Sequence, residues 1–167
     1  MNQMTLQELY EVGSSFESSV GEGTKSERAR IVKNSSRINF DENLINEIKN
    51  FDKEIKFLVS GEIWCPDFQL NGSVLKKFID LNTNFDISVI TMARGKKFIQ
   101  PILNLEEAKY PLILVLDKDF NILGRFEERP QIVRDNTCFD NIKLDYYKGK
   151  YLLDTANDIW NIIKKSK

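Results

Sequence analysis

The middle of the chain carries short apolar runs that predict β-strands. Lys56–Val59 predicts a first strand, Phe85–Met92 a second, central strand, and Leu112–Leu116, the most apolar run, a third. Asp117–Asn121 is predicted to form a hairpin loop that leads into a return strand at Ile122–Phe126. Because a helical pattern separates the first two strands, these two strands are expected to be parallel.

Apolar residues at steps of three and four positions predict helices around these strands. The element order predicts one α/β domain, in which a mixed central sheet is flanked by helices and residues 1–50 form a helical extension packed on residues 51–167. Residues 127–145 are expected to be irregular. The predicted helices are the first half of residues 5–20, Ser26–Ser35, Asp41–Asn50, Pro66–Leu81, Phe98–Leu105 and Tyr151–Lys165.

Length and composition fit one folded domain. The chain has 167 residues, of which 41% are hydrophobic and 29% charged, ordinary values for a globular protein. Its formal net charge of −1 gives no general electrostatic case for nucleic acid or an anionic membrane as a partner. No apolar run approaches the length of a membrane span, and Met1–Thr5 lacks the features of a secretory signal. A cytoplasmic location is therefore expected.

The cysteine and histidine content restricts the chemistry. The chain has no histidine, which excludes histidine-based triads, histidine-ligated zinc or haem, and histidine as a general base. Its two cysteines, Cys65 and Cys138, are too few for a disulfide scaffold or a structural zinc site. We expect neither a metal nor an organic cofactor, which leaves thiol chemistry as the main candidate.

Cys65 stands where a predicted strand turns into a predicted helix. The small residues Ser60 and Gly61 follow the strand, and Pro66 is tolerated after the cysteine because the first turn of a helix has unpaired N–H groups. These N–H groups and the positive end of the helix dipole favour a thiolate. The sequence therefore predicts an activated sulfur at Cys65.

Residues 64–69, Trp-Cys-Pro-Asp-Phe-Gln, resemble the Trp-Cys-x-Asp-Cys-Gln signature of a bacterial thioredoxin-like family. The resemblance covers about residues 40–165 and implies a thioredoxin-like fold with an N-terminal helical extension. Within it, Pro111 takes the place of the family's cis-proline. Residues 127–130 and 147–151 are also similar to that family.

Three positions depart from the family pattern. Phe68 replaces the second cysteine, Ser73 replaces the usual helix proline, and Val59 replaces the buried carboxylate that assists proton transfer in thioredoxin. A dithiol protein resolves its mixed disulfide with the second cysteine. Because Phe68 cannot do this, autonomous Cys-x-x-Cys cycling is excluded.

The resemblance implies that Cys65 is the nucleophile and that six residues surround a substrate groove. Asp67 permits two interpretations, since its carboxylate could oppose thiolate formation or stabilise the first helical turn. Trp64 could be a platform for a partner or pack on the core, whereas Phe68 is expected to pack. The groove residues are Trp64, Pro66, Asp67, Phe68, Tyr110 and Pro111.

Three functions remain open. The protein could be a monothiol oxidoreductase whose mixed disulfides at Cys65 are resolved by glutathione, another low-molecular-weight thiol or Cys138. It could instead be a redox-inactive module that binds a protein segment, or a redox sensor that does not turn over. Cys138 is the candidate resolving thiol, although an unpaired thiol is the simpler interpretation. The expected partner is a protein or a low-molecular-weight thiol or disulfide, and the oligomeric state is not predicted.

Two basic clusters accompany these features. Arg28, Arg30 and Lys33 lie on a predicted helix, and residues 94–97 follow a strand, where they could hold an acidic partner or the carboxylates of a small thiol. A solvated surface is the interpretation we favour for both clusters.

Overall fold

A computed structural model gives the fold and describes residues 3–166, so the predicted limits at residues 1 and 167 lie outside it. In the described chain one sheet contains β1 (Ile55–Ser60), β2 (Phe85–Ile90), β3 (Leu112–Leu116) and β4 (Ile122–Glu127). The strand order is β2-β1-β3-β4. As predicted, β1 and β2 are parallel, and β3 is antiparallel to both β1 and β4.

The two central strands, β1 and β3, are buried on both faces because each face of the sheet carries an apolar cluster. Phe57 and Val59 belong to the same cluster as Ile113 and Val115, whereas Leu58 belongs to the cluster on the opposite face. Successive side chains of a strand point to opposite faces. Two covered faces therefore require the near-continuous apolar runs that the sequence shows.

Helices cover both faces of the sheet, which confirms the predicted fold class. Thr5 and Thr24 start two of them with capping boxes, and the Asp41 carboxylate accepts the N–H of Leu44, as expected of an N-cap. Among residues 3–166, no helix is long and apolar enough to cross a bilayer. The helices are α1 (Leu6–Val12), α2 (Phe16–Gly21), α3 (Lys25–Arg37), α4 (Glu42–Asn50), α5 (Pro66–Leu81), α6 (Met92–Arg94), α7 (Gln100–Ile102), α8 (Gln131–Arg134), α9 (Lys143–Tyr147) and α10 (Leu152–Lys164).

Strand β2 lies at an edge of the sheet, so the prediction of a central strand there was wrong. The connection from α1 to α2 runs along this edge, where Ser14 and Val89 exchange backbone hydrogen bonds of 2.9 and 2.8 Å. Gly13 permits the approach, since a Cβ there would collide with the Ser88 hydroxyl. The bridge partly covers an edge that would otherwise offer free N–H and C=O groups to other chains.

Two connections are more helical than predicted. Residues 92–102 form α6, a π-helical turn at Gly95–Ile99 and α7, whereas a helix was predicted at Phe98–Leu105. Residues 127–145, predicted to be irregular, contain α8, a 3₁₀ turn at Phe139–Asn141 and the start of α9. One or two helical turns carry too few residues to show a period of 3.6, which explains the difference.

The N-terminal helices pack on the sheet domain. Helix α1 contacts β2, and both α3 and α4 contact α5. Asn82, buried at the end of α5, donates from its amide nitrogen to the carbonyls of Ile48 and Phe51, at 2.7 and 2.8 Å, and accepts the N–H of Asn84 at 2.8 Å. This side chain fastens the end of α4 to the core. That residues 1–50 form a distinct extension stays a prediction.

Replacement of Asn82 tests this attachment. Asn82→Ala removes one hydrogen bond to the carbonyl of Ile48, one to the carbonyl of Phe51 and the acceptor of the Asn84 N–H. Each lost hydrogen bond costs about 0.5–1.5 kcal/mol, and the remaining donors to the two carbonyls reduce the total. We therefore expect urea denaturation to show a loss of about 1–3 kcal/mol in the free energy of unfolding. Thr83→Ala, an exposed neighbour, is the control and should change it by less than about 0.5 kcal/mol. Equal effects of the two substitutions would contradict the proposed role of Asn82.

Candidate functional site

Cys65 lies at the N-cap of α5, after the connection that follows β1. Pro66 opens the helix, where a residue without an N–H is tolerated because the first turn has no intrahelical partners. The thiol is partly buried and its sulfur accepts no capping hydrogen bond, although the backbone N–H groups of Phe68 and Asp67 in the first helical turn act to lower its pKa. The sulfur therefore occupies the helix N-terminus that the sequence predicts.

Phe68, at the position of the missing second cysteine, is completely buried. Its ring stacks on Phe16 of α2, with 6.0 Å between the ring centroids. Gly61 makes room for it, since a Cβ there would lie 2.9 Å from Cδ2 of Phe68. Phe68 thus packs in the core, as its helical spacing indicated, and its assignment to the surface of a substrate groove was wrong.

The other predicted groove residues divide between the surface and the interior. Trp64 has 55% of its area exposed and Pro66 is also exposed, whereas Tyr110 and Pro111 are buried where β3 begins. The Tyr110–Pro111 peptide bond is cis, as the resemblance implied. Pro111 lies beside Gly61: a Cβ added to Gly61 would lie 3.1 Å from the Cβ of Pro111. Exposure of Trp64 favours its interpretation as a platform for a partner.

Asp67 is a buried carboxylate that links the start of α5 to two distant segments. Its Oδ1 accepts hydrogen bonds from Nε of Arg129 at 3.0 Å and from the hydroxyl of Tyr146 at 2.7 Å. Its Oδ2 lies 4.0 Å from Sγ of Cys65, at the limit of a weak S–H···O hydrogen bond. Only 9% of the Asp67 side chain is exposed, and a charge so buried requires partners of this kind.

Further hydrogen bonds hold this arrangement in place. The amide nitrogen of Asn71 donates to the carbonyl of Glu128 at 2.8 Å and to the hydroxyl oxygen of Tyr146 at 3.1 Å. The hydroxyl of Thr155 donates to Oδ1 of Asn71 at 2.8 Å. The carboxylate of Asp67 therefore faces the thiol with a fixed orientation.

Arg129 is enclosed by aromatic side chains. Its guanidinium carbon lies 3.9 Å from the ring centroid of Phe139 and 5.5 Å from that of Tyr146, and Nη2 donates to the hydroxyl of Tyr147 at 3.4 Å. Burial alone would lower the pKa of Arg129, but the hydrogen bond to Asp67 and its negative charge raise it. The guanidinium is thus a permanent cation that is already paired with a carboxylate.

The surroundings of Cys65 raise the pKa of its thiol. Burial is the largest cause, and the negative charges of Asp67 and Glu128 act in the same direction. The backbone N–H groups of Phe68 and Asp67 lower the pKa but do not compensate. The helix N-terminus therefore does not produce the activated thiolate that the sequence predicts, and the protonated thiol predominates at neutral pH. Of the two interpretations of Asp67, this result favours its opposition to thiolate formation.

Cys138, the candidate resolving thiol, is exposed, and both cysteines are free. It immediately precedes the 3₁₀ turn at Phe139–Asn141, and its backbone N–H donates to the side chain of Asn136 at 2.9 Å. A resolving role for Cys138 stays a prediction. Within residues 3–166, no group of three or more Cys, Asp and Glu side chains is arranged to hold a metal ion.

Sequence reasoning missed the partners of Asp67. Arg129 and Tyr146 are 62 and 79 positions away along the chain, and no motif spacing connects them to Cys65. The only signal was the similarity of residues 127–130, which contain Arg129, to the thioredoxin-like family; residues 147–151 begin one position after Tyr146, and neither segment indicated a contact with Asp67.

Three comparisons bear on the relationship of this chain to known proteins. A family model described as thioredoxin matches residues 13–143, which include α2–α4 as well as the cysteine segment. A crystal structure of a protein of unknown function from Pseudomonas aeruginosa is 31% identical, with a TM-score of 0.93 over 99% of this chain and 100% of the other. An HIV epitope scaffold is 32% identical, with a TM-score of 0.90 over 97% and 99% of the two chains. No curated protein matches.

Replacement of Asp67 tests the electrostatic control of Cys65. Asp67→Asn removes the negative charge that opposes the thiolate and leaves the cation of Arg129 nearby, so the pKa of Cys65 should fall. In a Cys138→Ala background, the rate of iodoacetamide alkylation should therefore reach half its maximum at a lower pH than in the parent protein.

The control for this experiment is Glu128→Gln. Its carboxylate contributes less than Asp67 to the raised pKa of Cys65, so the alkylation profile should move in the same direction by a smaller amount. An unchanged Asp67→Asn profile, or one displaced to higher pH, would refute the electrostatic role of Asp67.

Proposed function

Because this chain belongs to the thioredoxin family, we propose that it carries out thiol–disulfide exchange of a monothiol kind, with Cys65 as the nucleophile. The observation that carries the proposal is the position of Cys65, a free and partly exposed cysteine at the N-cap of α5. The exposed ring of Trp64 precedes it in the chain. Pro111, beside Gly61 at the same end of the sheet, would shape the approach of a disulfide.

The proposed exchange needs no external oxidant, because one S–S bond forms as another breaks. The thiolate of Cys65 attacks one sulfur of a disulfide, a new S–S bond forms, and the other half of the disulfide leaves as a thiolate that takes up a proton. A second thiol, from a low-molecular-weight compound or from Cys138, then attacks the mixed disulfide and releases Cys65. Phe68 contributes no sulfur to the second step.

The raised pKa of Cys65 affects both steps. Few molecules carry the thiolate at neutral pH, so attack is slow, although a thiolate of higher pKa is intrinsically more nucleophilic. The same thiolate is a poor leaving group, so a thiol that attacks the partner's sulfur in the mixed disulfide displaces Cys65 slowly. A slowly formed and long-lived adduct is the expected behaviour, and it also suits a redox sensor.

A redox-inactive binding module is the second candidate, and it is favoured by the partial burial of Cys65 beside the carboxylate of Asp67 together with the exposure of Trp64. Trp64 lines a concavity of about 390 Å³, and Ile63 and the end of strand β2 form other parts of its wall. In this alternative a partner segment binds around Trp64, and the thiol remains protonated.

Adduct formation separates the two candidates. Incubated with glutathione disulfide, Cys138→Ala protein should form a mixed disulfide at Cys65, detected by peptide mass spectrometry. The rate should continue to rise as the pH passes the ordinary thiol value of about 8.5, because the thiolate fraction still grows there. Cys65→Ser in the same background should form no adduct. Absence of the adduct from the folded protein between about pH 7 and 10 would refute monothiol exchange and leave the binding module.

Placing a thiol at the position of Phe68 tests whether a second sulfur would permit dithiol cycling. Phe68→Cys should permit an intramolecular disulfide with Cys65 and dithiothreitol-dependent reduction of insulin, because a second sulfur then follows one helical turn after the first. In the reduced form it should lose about 2–4 kcal/mol of stability, since a buried phenylalanine becomes a partly empty cavity.

Phe68→Ser is the matched control, because it creates a similar cavity without a sulfur. It should lose similar stability and reduce no insulin. If the Phe68→Cys protein is folded but fails to reduce insulin, then the absence of a second thiol does not explain the loss of dithiol cycling.

A further inference from the structure

A basic groove lies between α3, the first turns of α5 and the region of α9, and Pro66, the neighbour of Cys65 in the chain, is part of its wall. It has a volume of about 380 Å³, within the size range of small-molecule sites. Its wall includes Pro66, the residue that follows Cys65, and Tyr147, whose hydroxyl receives the hydrogen bond from Arg129. The groove therefore begins at the first turn of α5, next to the sulfur.

Four cations line this groove, and no carboxylate does. Arg30, Lys33 and Arg37 come from α3, and Lys148 follows α9. Within the described chain, none of the four forms an ion pair of 4.0 Å or less, although cations elsewhere on the surface do. Unpaired cations converging on one concavity create a positive potential that attracts an anion.

The fold builds this convergence from segments far apart in the chain. Helix α3 packs across α5, and Nη1 of Arg37 lies 3.5 Å from the carbonyl oxygen of Tyr147, to which it donates. Gly149, with φ of +88°, allows the stem of Arg37 to lie against the turn after α9. Arg28, Arg30 and Lys33 are exposed, as their interpretation as a solvated face expects, but sequence spacing could not place Lys148 opposite α3.

We propose that this groove binds the carboxylates of a low-molecular-weight thiol or disulfide that exchanges with Cys65. The inference rests on the monothiol exchange proposed above and names its substrate class, an anionic peptide-like disulfide. The groove is a bounded concavity formed by α3, α5 and the region of α9, whereas protein partners generally bury about 800 Å² on each side. A small anionic molecule therefore fits better than an acidic protein surface.

Direct binding tests the groove without depending on the reactivity of the thiol. The probe is S-methylglutathione, which cannot exchange, titrated into ¹⁵N-labelled full-length protein and followed by NMR. Backbone amides of Arg37, Gln69 and Lys148 should shift on binding. The diethyl ester of the probe, which lacks both carboxylates, should leave these amides unshifted.

Charge removal gives the matched variants. Arg30→Gln/Lys33→Gln changes two exposed positions of α3 to a good helix former, so folding should be preserved. At about 2- to 5-fold for each exposed cation, the dissociation constant of S-methylglutathione should rise about 5- to 20-fold. Lys49→Gln/Lys118→Gln, at exposed positions outside the groove, should leave it unchanged.

Three results would overturn the proposal. The first is that S-methylglutathione shifts none of the groove amides, and the second is that both double variants bind it with equal affinity. The third is that a glutamate-rich peptide binds more tightly at the same amides, which would assign the groove to a protein partner.

The kinetics of disulfide exchange distinguish the groove proposal from the proposal of monothiol exchange. Glutathione disulfide should modify Cys65 about 5- to 20-fold more slowly in Arg30→Gln/Lys33→Gln, with neutral hydroxyethyl disulfide unaffected. Binding without any disulfide reaction would support the groove and refute monothiol exchange.

Discussion

The site depends on one buried carboxylate. Asp67 shares a single oxygen between Arg129 and Tyr146 and directs the other toward the sulfur of Cys65. A buried charge is tolerated only when it is paired and hydrogen-bonded, so the loop after β4 and the helix α9 must come to the start of α5. The contact that places a negative charge beside the buried thiol therefore also brings three segments of the fold together.

Phe68 leaves Cys65 as the single thiol in the first turn of α5 and packs in the core. Its ring fills the space between α2 and the cysteine helix, where Gly61 leaves room and Phe16 stacks on it. A second cysteine would occupy much less of that volume. The N-terminal helices thus complete a core in which an aromatic ring, and not a sulfur, lies one helical turn after Cys65, and the ring contributes buried apolar contact.

Local patterns in the sequence predicted most of the fold and little of the site. Apolar runs such as Leu112–Leu116 identified strands because two covered faces require them, and Asp41 identified a helix start through its capping chemistry. The prediction that β2 is a central strand was wrong, because its apolar run reflects helices packed on its faces rather than a neighbouring strand on each side. The pairing of Asp67 with Arg129 depends on tertiary contact and leaves no trace in spacing.

Because the pKa of Cys65 is raised, which disulfide reacts with it should depend more on binding near the sulfur than on the reactivity of the thiol. The rate of exchange depends on the fraction of thiolate and on the effective concentration of disulfide at the sulfur. With the first factor small at neutral pH, free disulfides encountered at random react slowly with Cys65. A disulfide held in the proposed site beside Pro66 would gain the second factor, and the cations there would also lower the cost of negative charge near the sulfur. The carboxylate and the basic groove would then act together, one suppressing unselected exchange and the other permitting exchange with a bound anionic disulfide.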